Sequence, residues 1–237
     1  MWLIAEYESA ALFSLRPGFA TASGGKTLLV PTPYAIKMAL LDALCRTQGA
    51  KFAEERWPRI ASLQVAIRLG ERAVVTNLFQ KMLKPRRSDA GEDDQDAGYF
   101  QRTIGYREYA HVTGVWALGV GWKGNAPEDW LSDAAINISY IGKRGSFVQL
   151  VGMPLHSANL PEEFVEMTTL QSNFPLEGTM QKLDDCSESV SFDKVNVYSG
   201  TKMTLGKDRI SRAIVLPYRV VRSSRSFTLY ERLDWFI

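Results

Sequence analysis

The chain has 237 residues, of which 46% are hydrophobic and 23% charged, with a formal net charge of +2; this balance predicts a globular protein with a substantial core and excludes a disordered chain. No apolar run approaches the length of a membrane span and the first residues lack a basic signal segment, so we expect no membrane association and no export. Cys45 and Cys186 are the only cysteines, which excludes a disulfide framework and is typical of the reducing cytoplasm, where we expect this protein.

The chain opens with a predicted strand, Trp2–Tyr7, and a loop, Ser9–Gly25. A helix with almost no polar face follows, within the segment Lys26–Gly49. Thr32 can cap this helix, and Pro33 fits its first position, where the missing N–H costs nothing. Because apolar residues lie nearly all round the helix, other elements must cover most of its surface.

The start of this helix has the composition of an anion site. Its first turn contains no acidic residue, and Lys37 lies close to the positive end of the helix dipole, where a cation is normally unfavourable. Free backbone N–H groups beside a lysine bind anions, and Arg16 and Lys26 of the preceding loop could reach the same place. The alternative is that Lys37 extends to solvent and has no ligand.

Three further strands and a second helix are predicted downstream, from hydrophobic periodicity and from helix start and stop signals. The strands are Leu63–Arg68, Trp116–Val120 and Phe147–Val151, and the helix begins at Pro127 and ends before Gly142. The resulting order, β-α-β-β-α-β, is that of ferredoxin-like folds, including the RRM. We therefore predict an α+β protein with a ferredoxin-like (RRM/RAMP) domain over residues 1–151.

The excursion between the second and third strands, about residues 70–112, is the least core-like part of the chain. Its arms are basic and aromatic and its tip is acidic, which predicts a projecting hairpin that combines charge contacts with base stacking, as single-stranded nucleic acid requires. The alternative is an ordinary solvated loop whose charges neutralise each other. The basic residues on the arms are Lys81, Lys84, Arg86, Arg87, Arg102 and Arg107.

Strands dominate the prediction beyond residue 151, where a β-rich C-terminal region, residues 152–237, is expected to pack on the first domain. Its predicted strands are Val190–Tyr198, Arg212–Val221 and Ser226–Trp235. Residues 194–232 hold nine lysines and arginines against two acidic residues. A segregated basic third indicates a polyanionic partner, although solvated strand faces have a similar composition.

Groups suited to catalysis are sparse. The two histidines, His111 and His156, lie at no metal-ligand spacing, and no P-loop, dinucleotide fingerprint or nucleophile elbow is present, so we expect neither a metal nor a cofactor. The acidic pair Asp184-Asp185 is expected to be solvated. A metal-independent ribonuclease could be assembled from Tyr34, Lys37 and His111, with the histidine as general base.

Four local patterns occur in order along the first 150 residues. They are the Arg16 loop, the helix start Pro31-Thr-Pro-Tyr34, the segment Thr103–Tyr109 before a strand, and the segment Ile141–Phe147 after the second helix. Together they resemble the CRISPR-associated protein five family, the RAMP-type subunits of type I Cascade complexes. Beyond residue 150 no family motif is matched.

The resemblance implies a non-catalytic subunit that caps the 5′ handle of a crRNA and contacts the backbone and large subunits of Cascade, with target DNA as a further candidate partner. In that family the insertion after the second strand is a thumb that packs against the first backbone subunit and kinks the RNA, a role that falls here to residues 70–112. The implied handle site comprises Arg16, Lys26, Tyr34 and Lys37, with Arg102 and Arg107 at the base of the thumb and Lys143 and Arg144 on the loop entering the fourth strand.

Two alternatives stay open within this resemblance. One branch of the family cleaves pre-crRNA with a tyrosine and an adjacent Lys-His pair; Tyr34 is near the right place, but the chain has no Lys-His dipeptide, which favours a binder over a repeat endonuclease. The other alternative is the equivalent handle-capping subunit of a type III complex. Lys143-Arg144 also has a simpler interpretation, as a turn that only aids solubility.

Overall fold

Antiparallel sheets and short helices alternate along the chain in the computed structural model, which describes residues 1–18, 25–87, 98–171 and 175–234. The helices there are α1 (Pro33–Thr47), α2 (Ala50–Ala61), α3 (Asp129–Ile136) and α4 (Phe192–Val195). The strands are β1 (Trp2–Ser9), β2 (Gln64–Arg68), β3 (Arg72–Pro85), β4 (Phe100–Thr113), β5 (Trp116–Gly121), β6 (Val148–Leu150), β7 (Leu155–Ser157), β8 (Val165–Glu166), β9 (Thr179–Cys186), β10 (Arg209–Leu216), β11 (Tyr218–Ser223) and β12 (Phe227–Arg232).

The central sheet contains the four strands that the sequence predicts for the first domain, each within two residues of its expected bounds. Its order is β6-β1-β5-β2-β8, with β7 also paired to β1, and all of these pairs are antiparallel. Alternate residues of β1, namely Leu3, Ala5 and Tyr7, are buried on one face. The structure is therefore mixed α/β with mostly antiparallel sheets, which is compatible with the predicted α+β class.

Helix α1 has the predicted start and an apolar surface that is largely covered. The Thr32 hydroxyl accepts a hydrogen bond from the Ala35 N–H at 3.1 Å, and Pro33 occupies the first turn. Ile36, Leu40 and Leu44 are fully buried. Of the helices in the described ranges, none is both long enough and apolar enough to cross a membrane.

Helix α2 is absent from the sequence prediction, because Gly49 has the features of a stop signal. In the structure Gly49 has a φ of 90°, which turns the chain directly from α1 into α2. Trp57 of α2 is buried, and its indole N–H donates to the Val190 carbonyl at 2.7 Å. Helix α3 ends at Ile136, earlier than predicted, because the chain then forms a tight hairpin closed by the Tyr140–Phe147 bridge.

The predicted hairpin is present as β3 and β4, which pair without interruption from Arg72 opposite Thr113 to Pro85 opposite Phe100. Near its base Ala73 is buried in the core, whereas the outer half is exposed. The acidic tip that the sequence predicts falls mainly in residues 88–97, outside the described residues.

The C-terminal strands differ in part from the prediction. Residues 190–198 do not form a strand: α4 and a turn occupy them, and an ion pair of 2.7 Å joins Lys194 to Asp208. The strand predicted over Arg212–Val221 is divided into β10 and β11 at Pro217, which has no N–H to donate to a ladder. β12 lies within the predicted Ser226–Trp235 segment, although Trp235 itself is outside the described residues.

Residues 152–234 contribute strands to three sheets. β7 and β8 join the central sheet, β9 and β10 pair with each other, and β11 and β12 extend the hairpin into a four-stranded sheet of order β11-β12-β3-β4. The division at residue 151 stays a prediction, and backbone hydrogen bonds link the two segments through β12 and β3.

Shortening a buried side chain of α1 tests whether this helix is at the centre of the core. We expect Leu40→Ala to lower the free energy of unfolding by about 2–5 kcal/mol, because it leaves a cavity at a fully buried site. Leu170 is 82% exposed, so Leu170→Ala should change it by less than about 0.5 kcal/mol. Urea unfolding of both variants gives the comparison, and equal losses would contradict the burial of α1.

Candidate nucleic-acid interface

Lys37 lies in the protein interior, which corrects both readings of the sequence. Its side chain is 2% exposed, and its ammonium nitrogen lies 2.8 Å from Oδ1 of Asp185 and donates to the Ala61 carbonyl at 2.9 Å. Arg212 contacts the other oxygen of Asp185 at 3.4 Å. Because internal partners use the Lys37 charge, the expectation that this residue binds an RNA phosphate is wrong, and so is the alternative that it extends to solvent.

The N-terminus of α1 is also buried. Thr32 and Pro33 are both shielded from solvent, and the Thr32 hydroxyl already satisfies one of the free N–H groups of the first turn. The first turn contains no acidic residue, as the sequence indicates, but the carboxylate that compensates Lys37 comes from β9. An accessible anion site at this helix end is therefore not formed.

Tyr34 lies beside Arg209, the first residue of β10. The guanidinium carbon of Arg209 is 4.3 Å from the centre of the Tyr34 ring, and Arg209 is ion-paired with Asp184. Burial raises the pKa of the Tyr34 hydroxyl above its ordinary value, and the positive charge of Arg209 offsets only part of that rise. A hydroxyl that is harder to ionise is a poorer nucleophile, so this environment does not favour tyrosine chemistry.

The acidic pair of β9 is structural, and the expectation that it is solvated is wrong. Asp184 and Asp185 are each 4% exposed, and both are paired with basic residues. Arg209 is a residue of this region that the sequence did not single out. The only sequence signal for it was its place in the basic C-terminal third.

The loop that carries Arg16 packs along β4 of the hairpin. Phe13 and Ala110 exchange two backbone hydrogen bonds of 2.7 and 2.8 Å, and the Glu108 N–H donates to the Gly25 carbonyl at 2.6 Å. A Cβ at Gly25 would overlap the Tyr106 carbonyl oxygen and come within 2.6 Å of the Arg107 Cα. Only glycine allows this approach, which places the following Lys26 next to Arg107.

Hydrogen bonds across the same loop bring Arg16 toward Lys26. The Leu15 N–H donates to the Thr27 hydroxyl at 2.9 Å, and the Leu28 N–H donates to the Leu15 carbonyl at 2.7 Å. The neighbouring side chains of Arg16 and Lys26 are both exposed. The tip of the loop, residues 19–24, lies outside the described residues.

The turn before β6 contacts this loop from the other side. A Cβ at Gly142 would lie 2.9 Å from Cδ2 of Leu15, and the Ser146 N–H donates to the Lys143 carbonyl at 3.0 Å to close the turn. Lys143 and Arg144 are exposed on it. The loop therefore has predicted basic residues on both sides, and we define the loop cluster as Arg16, Lys26, Arg107, Lys143 and Arg144.

Arg102 does not lie at the base of the hairpin as expected. It pairs with Leu83, two positions from the outer end of the ladder, whereas Arg107 pairs with Leu78 at mid-length. The pairing register that decides this could not be read from the sequence. The other predicted cations of the hairpin lie near the outer end of β3, with three exposed and Arg86 half-buried: Lys81, Lys84, Arg86 and Arg87.

One face of the outer hairpin combines exposed apolar side chains with cations. Residues directly opposite in an antiparallel pair project to the same side, so Phe79 and Tyr106 share a face, and their ring centroids are 5.1 Å apart. Phe79 and Ile104 are each 70% exposed. We define this outer hairpin face as Phe79, Lys81, Leu83, Phe100, Arg102, Ile104 and Tyr106.

Among the described residues, no group of three or more histidine, cysteine, aspartate or glutamate side chains is arranged to hold a metal ion. The groups collected at the loop cluster and on the outer hairpin face are cations, aromatic rings and exposed apolar side chains. Such groups bind phosphodiesters, stack on bases and dock protein surfaces.

Solved structures that resemble this chain include a chain of a structure described as a CRISPR RNA-guided surveillance complex. It is 14% identical, with a TM-score of 0.50 over 98% of this chain and 91% of that chain. Another is a CRISPR protein from Archaeoglobus fulgidus, 12% identical, with a TM-score of 0.43 over 98% of this chain and 91% of that one. No protein-family model and no curated protein sequence matches the chain. At this identity the first likeness establishes a shared fold.

The role assigned to Lys37 is tested by its removal. We expect Lys37→Met to lower the free energy of unfolding by about 3–5 kcal/mol, because it leaves the buried Asp185 carboxylate without its closest cation. The double variant Lys37→Met/Asp185→Leu should recover much of this loss, since neither buried charge remains. Urea unfolding measures both, and Lys51→Met, at an exposed site on α2, is the matched control.

RNA affinity of the same double variant separates a structural lysine from a ligand-binding one. A structural Lys37 predicts affinity equal to that of the unmodified chain. Restored stability together with a lost phosphate contact would show that Lys37 binds RNA after all.

Proposed function

We propose that this chain is a component of a CRISPR RNA-guided effector complex, where it binds the 5′ handle of a crRNA without cleaving it. The single observation that carries the proposal is the packing of the Arg16 loop between β4 and the Lys143 turn, which collects the predicted cations around one loop. The likeness of fold to a chain of an RNA-guided surveillance complex, over nearly the whole length of both chains, supports it.

The central sheet supports a ferredoxin-like, RAMP-type interpretation of the core. The strands β6, β1, β5 and β2 are antiparallel neighbours in that order, α1 and α2 connect β1 to β2, and α3 connects β5 to β6. Two interleaved β-α-β units of this kind form the split arrangement found in ferredoxin-like domains. β3 and β4 are then an insertion between the second and third strands of that core.

In the proposed handle site Arg16, Lys26 and Arg107 contact phosphates, and Lys143 and Arg144 extend the basic surface beyond Leu15. Cations of this kind position an RNA strand, whereas unpaired bases are read by stacking and by contacts with their edges. Lys37 is not part of this site, because its charge is paired internally. Tyr34 remains a candidate neighbour of this site, because Arg209 lies over its ring and also lies against Gly18 of the Arg16 loop.

We assign the outer hairpin face to contacts within the complex. Its exposed Phe79, Leu83 and Ile104 side chains suit a protein surface, such as a backbone subunit, and Lys81 and Arg102 in the same rows suit the RNA that runs past it. Contacts with a large subunit and with target DNA stay predictions. Co-purification with type I or type III subunits would decide between those two kinds of complex.

The handle site is tested by its salt dependence. We expect Lys26→Ala and Arg107→Ala each to weaken binding of a labelled handle RNA and to reduce the slope of log affinity against log salt by about 0.7, as each variant removes one phosphate contact. Fluorescence anisotropy at several salt concentrations measures both effects. Lys51→Ala, on the exposed surface of α2, should leave the slope unchanged. Unchanged slopes in both site variants, with unfolding midpoints preserved, would rule this site out.

The non-catalytic assignment has a separate test. Labelled repeat RNA incubated with the chain in EDTA should stay intact, because the Tyr34 hydroxyl is hard to ionise and Lys37 is paired with Asp185. Clean cleavage that Tyr34→Phe abolishes would establish the repeat endonuclease instead. Denaturing gel electrophoresis gives the readout.

A further inference from the structure

The sheet β11-β12-β3-β4 has a second face, which points away from the core. Side chains alternate along a strand, and the buried residues Ala73, Val75 and Ala110 belong to the core side. Their neighbours in the chain, such as Val74 and Tyr109, project to the other side. We call this other side the outer sheet face.

The strand register arranges aromatic and basic residues in rows on this face. Phe227 of β12 pairs with Thr76 of β3, which pairs in turn with Tyr109 of β4. The aromatic side chains thus lie two strands apart, about 10 Å, with a small residue between them. The next row consists of Arg222, Leu229, Val74 and His111, and the row after it of Arg219, Glu231, Arg72 and Thr113.

These side chains are accessible. Phe227, Tyr109 and His111 are half-buried, and neither Phe227 nor Tyr109 is among the described hydrophobic residues that pack against the core. The Arg222 guanidinium carbon is 5.8 Å from the centre of the Phe227 ring. This pairing leaves part of the ring and the cation open to a ligand.

The charge of the outer sheet face is positive. Arg72 and Arg219 share one carboxylate, that of Glu231, at 3.3 and 3.2 Å. Arg222 adds a further cation, so three arginines face one glutamate in these rows. Arg107, two residues before Tyr109 on the same strand, projects to the same face and connects it with the loop cluster.

We propose that the outer sheet face is a second nucleic-acid surface, which binds a single-stranded segment of RNA or DNA. Bases stack on Phe227 and Tyr109, with His111 as a further platform, and Arg219 and Arg222 contact the phosphates. The proposal goes beyond handle binding and does not depend on it, because its aromatic residues lie outside the loop cluster. It also gives a role to the basic C-terminal third of the sequence.

The chemistry of this face favours nucleic acid over a protein partner. Three arginines against one glutamate lie in the same rows as the apolar side chains, and a single-signed basic surface suits a polyanionic ligand. A four-stranded antiparallel sheet with aromatic residues on its strands is also the platform on which RRM domains stack bases. A polyanion matches the excess of arginine.

Homopolymers test this surface without any handle sequence. Fluorescence anisotropy of the full chain with labelled oligouridylate and oligothymidylate should show binding to at least one of them. We expect Phe227→Ala and Tyr109→Ala each to weaken that binding about 10-fold, which is the effect of losing one stacked base. Tyr198→Ala is the matched control, because Tyr198 is 93% exposed but lies outside the sheet.

Conservative variants separate stacking from folding. Tyr109→Phe and Phe227→Tyr keep an aromatic ring and should retain affinity, and Arg222→Ala should reduce the salt slope for oligouridylate by about 0.7. Oligonucleotides that carry 5-iodouracil should crosslink to peptides containing Tyr109 or Phe227. The two polymers distinguish the sources: preference for oligouridylate indicates RNA, and equal or stronger binding of oligothymidylate indicates a DNA strand.

Three results would overturn the proposal. They are the absence of binding to both polymers, unchanged affinity in both alanine variants when their unfolding midpoints are preserved, and coverage of Phe227 by a protein subunit in the assembled complex without a nucleic-acid crosslink. Failure of the handle site is separable from these outcomes. It would appear in Lys26→Ala with handle RNA and leave the homopolymer effects of Phe227→Ala in place.

Discussion

The ion pair between Lys37 and Asp185 is the interaction on which the arrangement of this molecule depends. Both charges are almost completely removed from water, so each stabilises the fold only while the other is in place. The pair joins α1, whose apolar residues belong to the main hydrophobic core, to β9. The neighbouring Asp184 binds Arg209, which lies over Tyr34 of the same helix. Charge pairing thus holds β9 and β10 against α1.

Local features of the fold could be predicted because they depend on residues close together in sequence. Thr32 and Pro33 mark the start of α1, and alternation marks the strands of the central sheet. The partner of Lys37 could not be predicted, since a buried lysine and a solvated one do not differ in their local sequence. The difference arises from Asp185 on β9, which is distant in sequence. Helix α2 was missed for a related reason: Gly49 ends one helix and begins the next, and both roles favour glycine.

The candidate site was predictable in its residue types but not in its geometry. Arg16, Lys26 and the Lys143 turn are visible in the sequence as cations on loops, yet their convergence depends on the close approach of Gly25 to the backbone of β4 and of Gly142 to the Leu15 side chain. The position of Arg102 depends on strand register, which the residue types of the two strands do not specify. The arrangement of the basic C-terminal residues beside aromatic side chains depends on the pairing of β12 with β3, which joins strands that are distant in sequence.

The attachment of the Arg16 loop to β4 has a mechanical consequence. Phe13 and Gly25 hold the loop to the hairpin through main-chain hydrogen bonds, so the loop follows any tilt of those strands. A subunit that contacts the outer end of the hairpin would act at a distance on Arg107, which lies at mid-length of the ladder, and on Lys26 of the attached loop. On the proposed function, a neighbouring subunit would in this way change the position of the RNA-binding cations without contacting the nucleotides itself.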